Sequence, residues 1–217
     1  MTQIVHRDPP PQTTGKVIHW AFAYDLLVSV LWLGREGAFR KRVVDLASLK
    51  PGESVLDVGC GTGTLAIAAK RCVGPQGRVS GIDPSPEMIQ RARKKARKSG
   101  IEIILENAAA EKLPFPDATF DCVLSTVMLH HLPEQARRKC LSEIRRVLKP
   151  GGRLLAVDFG GPAEHRRSLV AHFRQHMNFD LRKVIPVLDE VGLNAIQSGP
   201  VGFSDLHFVL AAAPSGA

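Results

Sequence analysis

The stretch VLDVGCGTG, residues 55–63, limits what this chain can fold into more than any other part of it. An apolar run of strand character stops in three alternating glycines, 59, 61 and 63, and a helical pattern follows at about 63–72. Glycine lets the main chain turn sharply and lets another group approach it closely. A second apolar run, RVSGID over 78–83, ends in Asp83, 20 residues after Gly63. In a doubly wound sheet that spacing sets a carboxylate beside the glycine turn, where it can accept hydrogen bonds from ribose hydroxyls. Position 64 is Thr, so the glycines do not follow the dinucleotide pattern G-x-G-x-x-G. No lysine follows them as a phosphate-binding loop requires.

The alternation continues along the chain. A basic helix is expected over 86–100, strands over 101–107, 120–125 and 152–159, and helices near 133–148, 163–176 and 180–191. NAIQSGPV and DLHFVLAAA read as a closing strand pair. Apolar strands alternating with helices imply a mainly parallel sheet covered on both faces. Before it, residues 1–15 read as a disordered lead-in carrying Pro9, Pro10 and Pro11, and 16–50 as two helices, about 17–33 and 38–48. The first is mostly apolar, but a membrane span needs about 20 such residues, and His19, Asp25 and Ser29 interrupt this one. Asp25, Ser29, Glu36 and Arg40 share one stripe, which favours an amphipathic helix. The main domain is expected over 51–213, with 214–217 as the end of a frayed AAAPSGA tail.

The net charge is +8, with 29 Lys and Arg against 21 Asp and Glu among 217 residues. Such a surface attracts nucleic acid, anionic lipid or an acidic substrate, or is simply well solvated. Aromatic residues make up 6% and none interleaves with the cations of 91–98, which counts against a stacking platform for nucleic acid. Cysteines 60, 72, 122 and 140 form no metal-ligand spacing, so no metal is expected. The start of the chain lacks a basic region followed by an apolar one, and the cytoplasm is the expected location.

VLDVGCGTG, GIDPSPEMIQRAR, AEKLPFPDATFDCVLS, LHHLPE and LSEIRRVLKPGGRLLAVDF resemble, in that order, the motifs of class I S-adenosylmethionine-dependent methyltransferases. The branch with the ubiquinone and menaquinone C-methyltransferases is the most similar in look, strongly over about 40–160. The resemblance implies a seven-stranded, mostly parallel, doubly wound α/β sheet with an antiparallel last strand. It also implies N-terminal lid helices over 16–50. It implies S-adenosylmethionine as cofactor and methyl transfer to a small, apolar or lipid-like acceptor at C, N or O. Contact with a membrane surface fits the same picture. A non-catalytic binding protein and an RNA methyltransferase are the alternatives on this fold; the chain lacks the N/D-P-P-Y/F motif of amino-group methylation in bases.

Residue by residue, the resemblance places Asp57, Gly59, Cys60 and Gly61 at the methionine end of the cofactor. Asp83 falls at the ribose, Pro84 and Met88 beside the adenine, and Ser125 near the sulfonium. Ala109 stands where relatives carry an Asp that contacts the adenine amino group, leaving main-chain groups of Ala109 and Ala110 to read the base. His130 and His131 are candidates for taking a proton from an acceptor, although a packing role before Pro133 is the preferred reading. Tyr24, in a Tyr24–Asp25 pair shared with relatives, is either a lid residue touching the cofactor or a core residue. Asp158 at a strand end either orients an acceptor or, as preferred, caps a neighbouring turn.

Overall fold

The computed structural model describes residues 13–15, 35–160, 179–203 and 205–216. The first expected helix with Tyr24 and Asp25, most of the lead-in and the helix expected at 163–176 lie outside the described residues. The described chain runs α1 (Glu36–Ala47), β1 (Ser54–Val58), α2 (Thr64–Val73), β2 (Arg78–Asp83), α3 (Pro86–Lys98), β3 (Ile104–Asn107) and β4 (Phe120–Thr126). It continues with a 3-10 turn (Leu129–His131), α4 (Glu134–Val147) and β5 (Leu148–Phe159). A second 3-10 turn (Leu181–Val184) leads into α5 (Ile185–Glu190), β6 (Asn194–Pro200) and β7 (Leu206–Ala212).

The seven strands are ordered β3-β2-β1-β4-β5-β7-β6. β7 runs antiparallel to both β5 and β6, and the pairs β1–β2, β1–β4, β2–β3 and β4–β5 are parallel. The expected doubly wound, mostly parallel sheet is the observed one. The order reverses between β1 and β4, and in such sheets ligands bind in the crevice at the carboxyl ends of the strands on either side of that reversal.

Alternate side chains on each strand face opposite layers. Leu56, Val58 and Val123 join Cys140, Leu141 and Ile144 of α4 and Leu181, Val184 and Leu188 on one face. Val55, Cys122 and Leu124 join Phe39, Val43 and Ala47 of α1 and Leu65, Ala66 and Ala69 of α2 on the other. Helix α1, read from sequence as the second lid helix, is therefore part of the sheet's cover. Arg153 of β5 fastens its carboxyl end, donating to Ala47 O (2.6 Å), Ser48 O (2.9 Å) and both carboxylate oxygens of Glu53 (2.9 and 2.8 Å).

Strand β3 begins three residues later than the apolar pattern suggests. Residues 99–101 instead close α3: Gly100, at φ +62°, donates to Arg97 O (3.1 Å) and Ile101 to Ala96 O (3.1 Å). A left-handed glycine with that pair of bonds satisfies the helix's last carbonyls. Strand β5 begins earlier than expected, at Leu148, which pairs with Phe120 across an irregularity in β4. Two termini also differ from expectation. Ala211 and Ala212 belong to β7, Ala213 is buried and Pro214 O accepts from Gly151 N–H, so the AAAP part is not frayed. Thr13–Gly15, read as the end of a disordered lead-in, are held against the domain by Glu111.

Candidate active site

The glycine turn is built by the main chain. Gly59 and Cys60 N–H both donate to Ile82 O (2.9 Å each), which ties the end of β1 to the end of β2. Gly59 has φ +74°, and a Cβ there would stand 2.3 Å from Met128 Cγ, so only glycine fits beneath that side chain. Gly61, at φ +52°, is the opposite case: a Cβ on it would meet nothing within 4 Å. The main chain is bare toward an open space at that point.

Asp83 closes the other side. Its Oδ2 accepts from Gly61 N–H (3.0 Å) and its Oδ1 from Ser85 N–H (2.9 Å). Burial raises its pKa, and those two N–H donors oppose the rise. Ser85 caps α3, its hydroxyl accepting from Met88 N–H (3.2 Å), and so aims the start of that helix at the same space. The basic helix α3 is partly spent on this frame. Lys95 donates to Thr62 and Thr64 (2.7 and 2.8 Å) at the entry to α2, and Arg93 to Leu105 O (2.6 Å).

The glycine turn and Asp83 stand at a cleft of about 690 Å³, counting its space open to solvent. Gly59, Gly61, Asp83, Pro84, Met88 and Ala110 of the expected cofactor residues lie in its wall. Cys60 does not: its side chain packs with Ile89, Ala92 and Leu105, and burial, aided by the charges of Asp57 and Asp83, pushes the thiol pKa far up, leaving it inert. Ala109 is buried outside the wall. Ser125 and Asp57 are buried and are not among the lining residues, and Ser125 Oγ and Asp57 Oδ2 have no protein hydrogen-bond partner. Burial raises the Asp57 pKa to about 7, with Arg40 of α1 opposing and Asp83 reinforcing.

The expected histidine pair divides. His130 is buried against Asp158, which is fully enclosed. Asp158 Oδ1 pairs with His130 Nδ1 (2.8 Å) and accepts from Phe159 N–H (2.8 Å), while its Oδ2 accepts from His130 N–H (3.2 Å). A carboxylate only accepts, so this pairing places a proton on Nδ1. His130 thus serves the frame, and Asp158 caps the turn as well as holding the ring. His131, whose ring centroid lies 3.9 Å from that of His130, lines the cleft.

The sequence reading missed Thr126, Val127, Met128 and Leu132 of the wall, together with Thr13, Gly15 and Glu111. Extending strand β4 one residue past Ser125 would have found Thr126, whose hydroxyl is also buried without a partner. Val127 has φ +54° and donates to Val157 O (2.7 Å). A β-branched residue in that region costs about 1–3 kcal/mol, a strain that concentrates at functional sites. Nothing local in the sequence signals it.

The chain matches the methyltransferase-domain family over residues 55–152. It is 34% identical over 177 residues to the ubiquinone/menaquinone biosynthesis C-methyltransferase UbiE of Pasteurella multocida, covering 81% of this chain and 63% of that protein. It is 33% identical over 169 residues to the demethylmenaquinone methyltransferase of Bacillus cytotoxicus, covering 77% and 68%. The chain spans a little under two thirds, 62–64%, of the length of several UbiE relatives. Among solved structures, a SAM-dependent methyltransferase from Aquifex aeolicus superposes with TM-score 0.70 at 28% identity, over 80% of this chain and 88% of that one. The [4+2]-cyclase SpnF superposes with TM-score 0.72 at 19% identity, over 94% and 100%, which is a likeness of fold alone.

Proposed function

The chain belongs to the S-adenosylmethionine-dependent methyltransferases, and on that premise we propose that it moves a methyl group from S-adenosylmethionine to a small apolar acceptor of the quinone-precursor or lipid-like class. The observation that carries this reading is the bare main chain at Gly61 facing open space, with the fixed carboxylate of Asp83 beside it. The residues fit the cofactor. Main-chain groups of Gly59–Gly61 would hold its amino-acid end, Asp83 its ribose, and Pro84 and Met88 the faces of its base. When bound, it supplies a methyl group on a positively charged sulfur, open to in-line displacement.

The work left to the chain is alignment, and effective molarity supplies about 7–11 kcal/mol of such a barrier. Val127, Met128 and Leu132 bring apolar side chains to the wall. This wall supports an apolar acceptor. His131 is the one imidazole in the wall among the described residues, so a proton released by the acceptor would pass there or directly to solvent. The net charge of +8 supports docking on an anionic membrane surface, where a lipid-like acceptor resides. No helix among the described residues is long and apolar enough to cross a membrane.

The test has two steps. Calorimetric titration with S-adenosylmethionine establishes binding. A mass-spectrometric screen of quinone, lipid and small-amine pools then looks for a gain of one CH₂ that requires both enzyme and cofactor. Binding without any methylated product would favour a non-catalytic role on this fold, and product in the amine pool alone would overturn the apolar acceptor.

A further inference from the structure

The positive charge of this chain is gathered in one stretch. Between positions 70 and 106 stand nine Lys and Arg against four Asp and Glu, a surplus of five out of the chain's eight. Six of those cations are on α3, which buries Met88, Ile89, Ala92 and Ala96 and exposes Arg93, Lys94, Arg97 and Lys98. Arg93 and Arg97, like Lys94 and Lys98, are equal charges one turn apart, an arrangement that works against the helix. Arg78, Lys94, Arg97 and Lys98 form no ion pair with a carboxylate among the described residues, whereas Arg146, Lys149, Arg153 and Arg182 each do. The amino ends of β2 and β3 meet α3 at a groove of about 1300 Å³, counting its space open to solvent. Arg78, Arg93 and Arg97 line it together with Ile101, Ile103 and Ile104, and Glu102 is the one carboxylate in that lining among the described residues. Ile104 is 54% exposed, on an edge strand of the sheet.

Resting on the lipid-like acceptor proposed above, we propose that this face docks the protein on a bilayer of anionic phospholipid. The cations meet the headgroup phosphates and Ile104 enters between the headgroups. Clusters of about four to eight Lys and Arg on an amphipathic helix are what such a surface holds. An apolar side chain among them adds attraction that charge alone does not supply. A second copy of this chain would bring the same surplus of like charge. Single-stranded nucleic acid would find no aromatic residue between 70 and 106 on which to stack. The groove shares no lining residue with the cleft, and α3 carries its last cations about 20 Å from its cleft end. A bilayer held here leaves the cleft open.

Flotation of the full chain with lipid vesicles tests this. Neither cofactor nor acceptor is present, so the outcome is separate from that of the methylation screen. Vesicles of phosphatidylcholine with about one third phosphatidylserine should carry the wild type, and vesicles of phosphatidylcholine alone should not. Each cation near such a surface is worth about fivefold in partitioning, so a protein with Lys94→Gln and Lys98→Gln should bind about tenfold or more weakly. Lys139→Gln with Lys183→Gln removes the same charge from the α4 side of the sheet. At more than a Debye length from the contact, that pair should leave binding within about twofold. Ile104→Ser should weaken binding several-fold without altering its dependence on salt. Circular dichroism confirms that each variant is folded. No binding to the anionic vesicles, unchanged binding in the Lys94–Lys98 variant or in Ile104→Ser, or the same loss in the Lys139–Lys183 variant would overturn the proposal. So would a wild type that ignores the vesicles but holds a single-stranded RNA through Lys94 and Lys98. Failed methylation with vesicle binding intact would instead strike the function proposed above.

Discussion

The half of the cleft beside β1, β2 and α3 and the half beside β4 and β5 are held together in different ways. In the first, Gly59, Cys60 and Gly61 bond through main-chain groups to Ile82 O and Asp83. In the second, side chains dominate. Asp158 gathers His130, Phe159 and the Leu129–His131 turn, and Val127 is held in a left-handed conformation. Arg137 of α4 adds bonds to Leu129 O (3.3 Å) and Leu132 O (3.0 Å). A main-chain frame needs few residue types at fixed spacing and can serve one invariant ligand. A side-chain frame is open to change, which would suit the acceptor side of the site in the function proposed above.

The largest expected effect lies in the second half. Asp158→Ala strands His130 N–H, Phe159 N–H and the His130 ring in a buried place. Leaving a buried donor unsatisfied costs about 1–3 kcal/mol, and this variant leaves three. Urea unfolding should show that loss, with the Leu129–His131 turn losing amide protection first. A loss below about 1 kcal/mol would mean that the frame there is held by packing instead.

This contrast explains what was legible in the sequence. That Gly59, Gly61 and Asp83 meet in the cleft wall was legible because a sharp turn and an acid at fixed distance leave a mark in spacing. That the sheet is mainly parallel followed from strands alternating with helices, whereas its order, with the reversal between β1 and β4, came only with the fold. The Glu111–Thr13 contact joins residues 98 positions apart and leaves no local mark. Val127 was invisible for another reason, since valine ordinarily avoids the left-handed region. The histidine pair was visible as a dipeptide, but only the fold shows that His130 turns to Asp158 while His131 turns to the cleft.

The next effect concerns the buried acid behind the glycine turn. Burial raises the folded-state pKa of Asp57 to about 7, above an unfolded value of about 3.9. The folded protein holds this proton more tightly than the unfolded chain does. Stability is therefore greatest below about pH 4 as far as this group is concerned, and is lost as pH rises to about 7, levelling beyond it. The full change is up to about 4 kcal/mol. Melting curves across that range should show Asp57→Asn gaining on the wild type as pH rises. Parallel curves would remove the titration from Asp57.

A smaller effect separates strain from ligand contact. Gly61→Ala and Gly100→Ala both place a methyl group in open space at positive φ, +52° and +62°, at a cost of about 1–2 kcal/mol. Only Gly61 faces the cleft. Both variants should lose similar stability, while Gly61→Ala alone should lose about tenfold or more in S-adenosylhomocysteine affinity. Equal affinity in the two would move the ligand away from the turn.

The central claim is that the main-chain half of the cleft, with Asp83, holds S-adenosylmethionine. Calorimetric titration of the cofactor into the wild type and Asp83→Ala, with circular dichroism to confirm that both are folded, tests it most directly. Charged hydrogen bonds contribute about 1.5–3 kcal/mol each, so the account predicts one-site binding to the wild type and an affinity at least about tenfold weaker in the variant. No binding to the wild type, or the same affinity in a folded Asp83→Ala protein, would contradict it.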